Sequence, residues 1–382
     1  MASAADLATI DRVVLSGPVR AALGRPTATI IDWHSSPLSG GGDPRTGGVW
    51  RLAGRVDDHG ETVSWSLVLK VLRSTGEAAD PTHPNYWKRE VLAYQSGLLA
   101  ALPSGVTAPR YFGVTEYDDG VWLWLEEIRD GWVPRWTLDS YSRAAYLLGQ
   151  FNGGCVRDVT LLAAPWWSGS RLDGRWIAQF PAGLAESLGR VLDHPLVRQV
   201  CVGATAARLF QLLADRAALI AALARLPQSF CHHDAWYRNL VLRSNPAGHE
   251  QAVLIDWADA GSGALGQELA AFIWAPVTYF DVDIDALHDL ETLAWSQYLD
   301  GLRDGGWRGE PDVVRLGYTA DVALRGVFSA WFCGTCLPDE QHSQWLATAL
   351  GHPIEEIIQV QARLLPFLLD RADEARRLMR AD

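Results

Sequence analysis

The sequence predicts an α+β chain in two unequal lobes, a small antiparallel sheet followed by a larger, mostly helical part. Three observations predict it. The first third carries short β-branched and apolar runs separated by turn residues. After Glu127, long Ala/Leu-rich segments with helical spacing take over. One β-rich island, Phe230–Trp257, interrupts that helical part.

The sheet part reads in order. Thr27–Trp33 is β-branched and apolar, and a glycine-rich loop follows that includes Gly40–Gly42 and Gly47–Gly48. Val49–Val56 and Thr62–Leu72 read as strands joined at Asp57–Gly60, where Gly60 supplies the positive φ of a tight turn. Pro84–Leu102 has helical spacing, with Val91, Tyr94, Leu98 and Leu102 on one face. Pro109–Thr115 and Gly120–Glu126 are two further strands. The helical part predicts helices over Thr137–Gly153, Thr205–Leu226, Ala286–Arg303, Pro311–Cys333 and Ile354–Arg380. The division falls at 1–127 and 128–382.

Composition narrows the function classes. With 382 residues and 48% hydrophobic content, the chain can bury a large core in two lobes. It carries a formal charge of −12 and no basic stripe, which argues against a nucleic-acid partner. The acidity tilts a small ligand towards a cation. The five scattered cysteines suit a reduced compartment, and Cys333-x-x-Cys336 reads as core packing because no second pair completes a metal site. No basic n-region with an apolar run opens the sequence, and no apolar stretch reaches the ~18 residues a spanning helix needs. The expectation is a cytoplasmic protein without membrane contact, monomeric or homodimeric.

The chemistry concentrates in Phe230–Arg243, which contains His232-x-Asp234-x-x-x-x-Asn239. Seventeen residues beyond Asn239, Asp256 ends an apolar strand. Phosphoryl transfer needs a carboxylate at the attacking hydroxyl and hard oxygen ligands for Mg²⁺. A five-residue offset lets one loop offer Asp234 to a substrate and Asn239 to a metal, with Asp256 as a second oxygen ligand.

These motifs resemble the aminoglycoside phosphotransferase family, whose fold is protein-kinase-like. His232-His-Asp234…Asn239 is similar to its H-G-D-x-x-x-x-N loop, with His233 in place of Gly. Ile255-Asp-Trp257 is similar to its metal-binding I-D-[WF]. Gly261–Ala270 resembles its G-x-x-x-x-D-[LI]-A segment, with Glu268 where Asp is usual. The resemblance implies ATP and Mg²⁺ as cofactors, Asp234 as catalytic base, and Asn239 and Asp256 as metal ligands. It implies that Lys70, ending Trp65–Lys70, contacts phosphates, with Glu90 as its helix partner. Glu126, Glu127 and Ile128 would hold the adenine edge by their backbone. His232 and Glu268 would brace the catalytic loop. Gly40–Gly42 sits where a phosphate-covering loop belongs, and reads equally as a flexible connector.

The acceptor is expected to be a small-molecule hydroxyl: an aminoglycoside, an amino sugar or an amino alcohol. Asp281, Asp283 and Asp285 would form a wall for a cation, with Trp132 and Trp136 supplying ring faces. Solvation of the acidic run and core packing of the tryptophans are the alternatives. A different function class also stays open: a catalytically silent kinase-like module that binds a nucleotide or metabolite. Retention of all three polar positions weighs against it.

Overall fold

The computed structural model describes residues 10–38, 46–74, 80–81, 83, 85–129, 131, 135–156, 163–167, 180, 183–245 and 247–381. Gly40–Gly42 and Trp132 lie outside them. In chain order the elements are α1 (Arg12–Leu23), β1 (Thr29–Pro37), β2 (Thr46–Asp58), β3 (Glu61–Arg73), α2 (Arg89–Gln95), β4 (Val106–Thr107), β5 (Tyr111–Tyr117) and β6 (Gly120–Leu125). There follow α3 (Leu138–Cys155), α4 (Leu184–Val191), α5 (Ala204–Arg225), β7 (Gln228–Cys231), β8 (Leu240–Ser244), β9 (Glu250–Leu254) and β10 (Gly261–Ala264). The last are α6 (Gln267–Thr278), α7 (Leu287–Asp304), α8 (Pro311–Trp331), α9 (Glu340–Leu350) and α10 (Ile354–Ala381).

The chain divides into two compact units that interleave along the sequence. The first comprises Met1–Leu102, Val106–Trp132 and Val241–Ala258. The second comprises Pro103–Gly105, Val133–Leu240 and Asp259–Asp382.

In the first unit an antiparallel sheet runs in the order β1-β2-β3-β6-β5. Its β2–β3 hairpin turns at His59 and Gly60, both at positive φ (56° and 87°), the backbone that matches strand twist in a two-residue turn. Helix α1 was not among the predicted elements. Asp11 caps it by accepting the Val13 N–H at 2.8 Å, and Gly24 ends it in the left-handed conformation. Its Leu15 and Val19 enter a core with Leu52, Leu67, Leu69 and Trp124. Helix α2 is shorter than the Pro84–Leu102 expectation. Gly97 adopts φ 76° and stops it, and Leu98–Ala100 forms a separate 3₁₀ turn. The hairpin β8–β9 pairs with β4 in a small separate sheet.

The second unit is helical, with the two-stranded β7–β10 ladder embedded in it. Helices α3 and α7 approach at glycines: a Cβ at Gly149 would lie 2.2 Å from the Tyr298 carbonyl oxygen, and one at Gly301 2.0 Å from that of Tyr146. Substituting either forces the helices apart. The main core joins Leu209, Leu212 and Leu223 of α5 to Leu324 and Val327 of α8 and Leu365 and Leu369 of α10. Cys333 and Cys336 are buried in this core, on one π-helical turn after α8. All five cysteines are buried, and none is in a disulfide. No described helix is long and apolar enough to cross a membrane.

Candidate active site

Asp234 and Asn239 lie on the loop between β7 and β8, and the loop is closed by its own polar groups. Asn239 Nδ2 donates to Asp234 Oδ2 at 2.7 Å and to the Asp234 carbonyl at 3.1 Å. The Trp236 N–H donates to the Asp234 carbonyl, and the Asn239 N–H to that of Trp236. The bonds from Nδ2 fix the amide plane of Asn239.

Two histidines shape the start of the loop. His232 is fully buried, and its Nδ1 accepts the Asp234 N–H at 3.3 Å. His233 occupies the position where glycine is usual and keeps a left-handed φ of 64°. Left-handed backbone costs a non-glycine residue roughly 1–2 kcal/mol. Its side chain offsets part of this by donating from Nε2 to the Ser262 carbonyl at 3.0 Å. The ring fits because position 263 is glycine: a Cβ there would lie 2.5 Å from His233 Cε1.

Glu268, in the first turn of α6, accepts the backbone N–H groups of His232 at 2.6 Å and His233 at 2.9 Å. The longer side chain therefore makes both loop bonds. Burial pushes its carboxyl up to about 7, against the downward pull of those N–H groups and of Asn152. The ordinary value is 4.5. Between 4.5 and 7 the folded chain holds a proton that the unfolded chain has released. The contribution of this group to stability is thus full below 4.5 and falls as pH rises to 7, by about 3 kcal/mol at 1.36 kcal/mol per unit. Raising the pH from 5 to 8 is expected to lower the Tm of the wild-type protein more than that of Glu268→Gln, which cannot titrate. Parallel melting curves at the two pH values check this, and equal slopes contradict it.

The first unit assembles a second constellation. Lys70, buried on β3, sets its Nζ 2.6 Å from Glu90 Oε2 of α2 and 2.7 Å from Asp256 Oδ1, just after β9. Burial alone would pull the lysine down, but the carboxylates of Asp256 and Glu90 outweigh it and hold Lys70 charged. Asp256 adopts φ 62°, and its side chain is 45% exposed, whereas that of Glu90 is 1% exposed. Glu90 also accepts the Trp257 N–H at 3.2 Å. Arg89, absent from the sequence-predicted set, is fully buried and donates to the carbonyls of Ala258 and His83. Adjacent residues of α2 thus grip the backbone on the far side of Asp256. Helical spacing gave no signal for this, since Arg89 looks like a solvated neighbour of Lys88.

The segment after β6 is tied by its side chains. Glu126 accepts the Arg110 N–H at 3.0 Å, and Glu127 pairs with Arg51 and Arg129, each at 2.6 Å. Burial acts to raise Glu127, and hydrogen bonds from Ser66, Arg129 and Arg51 hold it below the ordinary range. Ile128 packs with Val241 and Val253.

The remaining predicted residues lie in the second unit. Trp136 is buried edge-on to Tyr141, Tyr237 and Phe272. Asp281 Oδ1 accepts the Tyr237 hydroxyl at 2.6 Å and Arg238 Nη2 at 2.9 Å. Asp283 accepts the Asp285 N–H at 2.9 Å, and Asp285 pairs with Arg363. Arg238, also missed, lies over the rings of Trp236, Tyr279 and Tyr237 at 5.0, 5.5 and 5.8 Å.

The donor chemistry fits Mg²⁺ shared with a nucleotide. Among the described residues no cluster of three or more His, Cys, Asp or Glu could hold a metal alone. Mg²⁺ in phosphoryl-transfer sites takes one or two protein oxygens and completes its shell from phosphates and water. Asn239 in the second unit carries an amide oxygen and Asp256 in the first a carboxylate, each of the donor type that demand calls for.

Comparison with known proteins bears on the family and the fold. The family model described as the phosphotransferase enzyme family matches residues 90–303, more than half of the chain. No curated protein matches. Among solved structures, the amicoumacin kinase hAmiN, in complex with AMP-PNP, Ca²⁺ and Ami, aligns at 14% identity with a TM-score of 0.50. That alignment covers 94% of this chain and 96% of the kinase. An aminoglycoside phosphotransferase from Alicyclobacillus acidocaldarius subsp. acidocaldarius aligns at 15% identity and a TM-score of 0.47, over 92% of this chain and 93% of its own. The expected α+β, protein-kinase-like fold and the family resemblance both hold, and the chain belongs to the phosphotransferase enzyme family.

Proposed function

We propose that the protein transfers the γ-phosphate of ATP, with Mg²⁺, to a hydroxyl of a small molecule drawn from the aminoglycosides, amino sugars and amino alcohols. The observation that carries this reading is the closed Asp234–Asn239 loop, braced from below by Glu268. It fixes a carboxylate and an amide oxygen side by side. Residues 1–127 would serve as the nucleotide-binding lobe and residues 128–382 as the catalytic and substrate-binding lobe.

Each residue has a task in this mechanism. Asp234 accepts a hydrogen bond from the acceptor hydroxyl, orients it and takes its proton as the oxygen–phosphorus bond forms. The bond from the γ-phosphorus to the leaving ADP oxygen breaks in the same displacement. Lys70, held charged by Glu90 and Asp256, contacts the phosphates. Asn239 and Asp256 would hold Mg²⁺, which supplies neutralisation of the phosphate charge when bound. The side chains of Glu126 and Glu127 are occupied by arginines or backbone, so the adenine edge would be held by the main chain of residues 126–128. Asp281, Asp283, Asp285 and Trp136 line the acceptor side, beside the catalytic loop.

Calorimetry of Mg·AMP-PNP binding tests the nucleotide half of the proposal. Asp256→Ala is expected to weaken the affinity at least about tenfold, the order seen when one charge-assisted contact of 1.5–3 kcal/mol is removed. Equal affinity in both proteins would remove Asp256 from the metal site.

A further inference from the structure

The acidic run Asp281–Asp285 is the feature that most favours a polycationic acceptor, yet its charges are already engaged. Both Tyr237 and Arg238 donate to Asp281 Oδ1, and Asp281 Oδ2 is enclosed by protein without a hydrogen-bond partner among the described residues. Asp285 faces Arg363. Asp283 caps the turn that leads into α7. Three carboxylates set against the guanidiniums of Arg238 and Arg363 leave this loop one net negative charge.

Arg238 is held where it is by more than the ion pair. It lies on the same loop as Asp234 and Asn239, four residues after the one and one before the other. Its guanidinium lies over Trp236 and Tyr279, whose rings stack at 4.9 Å. Cation–π contact and the bond to Asp281 both oppose its withdrawal. An acceptor with several ammonium groups would meet a fixed positive charge on the loop that carries Asp234, and in the acidic run only one carboxylate without a facing guanidinium.

We propose that Arg238 is a specificity-determining residue, a built-in cation that closes the acidic loop to polycations and restricts the acceptor to alcohols carrying at most one positive charge. This rests on the phosphotransferase reading and deepens it. Within the proposed range it selects amino alcohols and simple amino sugars over aminoglycosides with several amines.

Calorimetry with kanamycin as the polycationic probe tests the proposal. The wild-type protein is expected to bind it no tighter than millimolar, and Arg238→Gln, which uncovers Asp281, at least tenfold tighter. Arg238→Lys keeps the charge and should continue to exclude kanamycin, which also carries the test should Arg238→Gln fail to fold. Micromolar binding to the wild-type protein, an unchanged or weaker affinity in a folded Arg238→Gln, or tighter binding to Arg238→Lys would overturn the proposal. Mg·AMP-PNP binding to the wild-type protein reads the other claim separately: its absence would fail the phosphotransferase reading, and its presence with strong kanamycin binding would fail only the role of Arg238.

Discussion

Asp234→Asn is expected to lower kcat by ~10²–10⁴-fold, about 3–5 kcal/mol of barrier, while leaving Mg·ATP affinity within about twofold. Asparagine keeps the outline of the side chain and can still present an oxygen to Asn239 Nδ2, which now meets Asp234 Oδ2 at 2.7 Å. The loop therefore keeps its closure. What disappears is the negative charge that orients the hydroxyl and receives its proton. Lys70, Glu90 and Asp256 form a separate constellation in the first unit and are untouched. Single-turnover kinetics with calorimetry on the same preparations check both halves. Residual kcat within tenfold of wild type would mean that Asp234 is not the base. Lost nucleotide affinity would mean that it braces the loop instead.

Lys70→Ala carries the second large effect, and it falls on stability as well as turnover. Reading the sequence alone places the loss mainly in turnover, because Lys70 appears there as a phosphate contact. The geometry adds a folding role. The lysine is the cation between two carboxylates, one of them 1% exposed. Removing one partner of a buried pair costs about 3–5 kcal/mol, since the charge left behind is uncompensated. The Tm should drop by roughly 6–20 °C on the scaling for domains of 150–250 residues. Adding Glu90→Gln to Lys70→Ala should recover part of that loss, because the stranded charge is gone, without restoring turnover with ATP. Differential scanning calorimetry of the three proteins separates the two roles. A Lys70→Ala protein as stable as wild type would show that the trio is not a buried electrostatic unit.

The elements that were legible in the sequence share a physical reason. The five sheet strands carry β-branched and apolar runs with turn residues between them, and local pattern is sufficient there. The Asp234–Asn239 loop stood out in the sequence because the chemistry proposed for it demands fixed residue types at short spacing. Other features depend on signals that are weaker or distant. Helix α1 had a readable cap in Asp11 and stop in Gly24, but its apolar stripe of Leu15 and Val19 is short. Helix α6 is buried all round, so it shows no amphipathic period to find. The truncation of α2 turned on one left-handed glycine inside an otherwise helical pattern. Pairings across long sequence distances were out of reach. Arg238 meets Asp281 from 43 residues away, and Arg89 meets Ala258 from 169. The acidic run therefore read as an open wall, although arginines from elsewhere in the fold already face two of its carboxylates.

The reading that this chain is a working phosphotransferase and not a silent binding module is tested most directly by following the label of [γ-³²P]ATP. The wild-type protein, with Mg²⁺, would be incubated with glucosamine, 2-aminoethanol and kanamycin in parallel, with Asp234→Asn as the control. The account predicts label on a hydroxyl of glucosamine or 2-aminoethanol with the wild-type protein, at least ~100-fold less with Asp234→Asn, and little on kanamycin. Tight Mg·ATP binding with no label on any of the three acceptors, or equal labelling by the wild-type protein and Asp234→Asn, would contradict it.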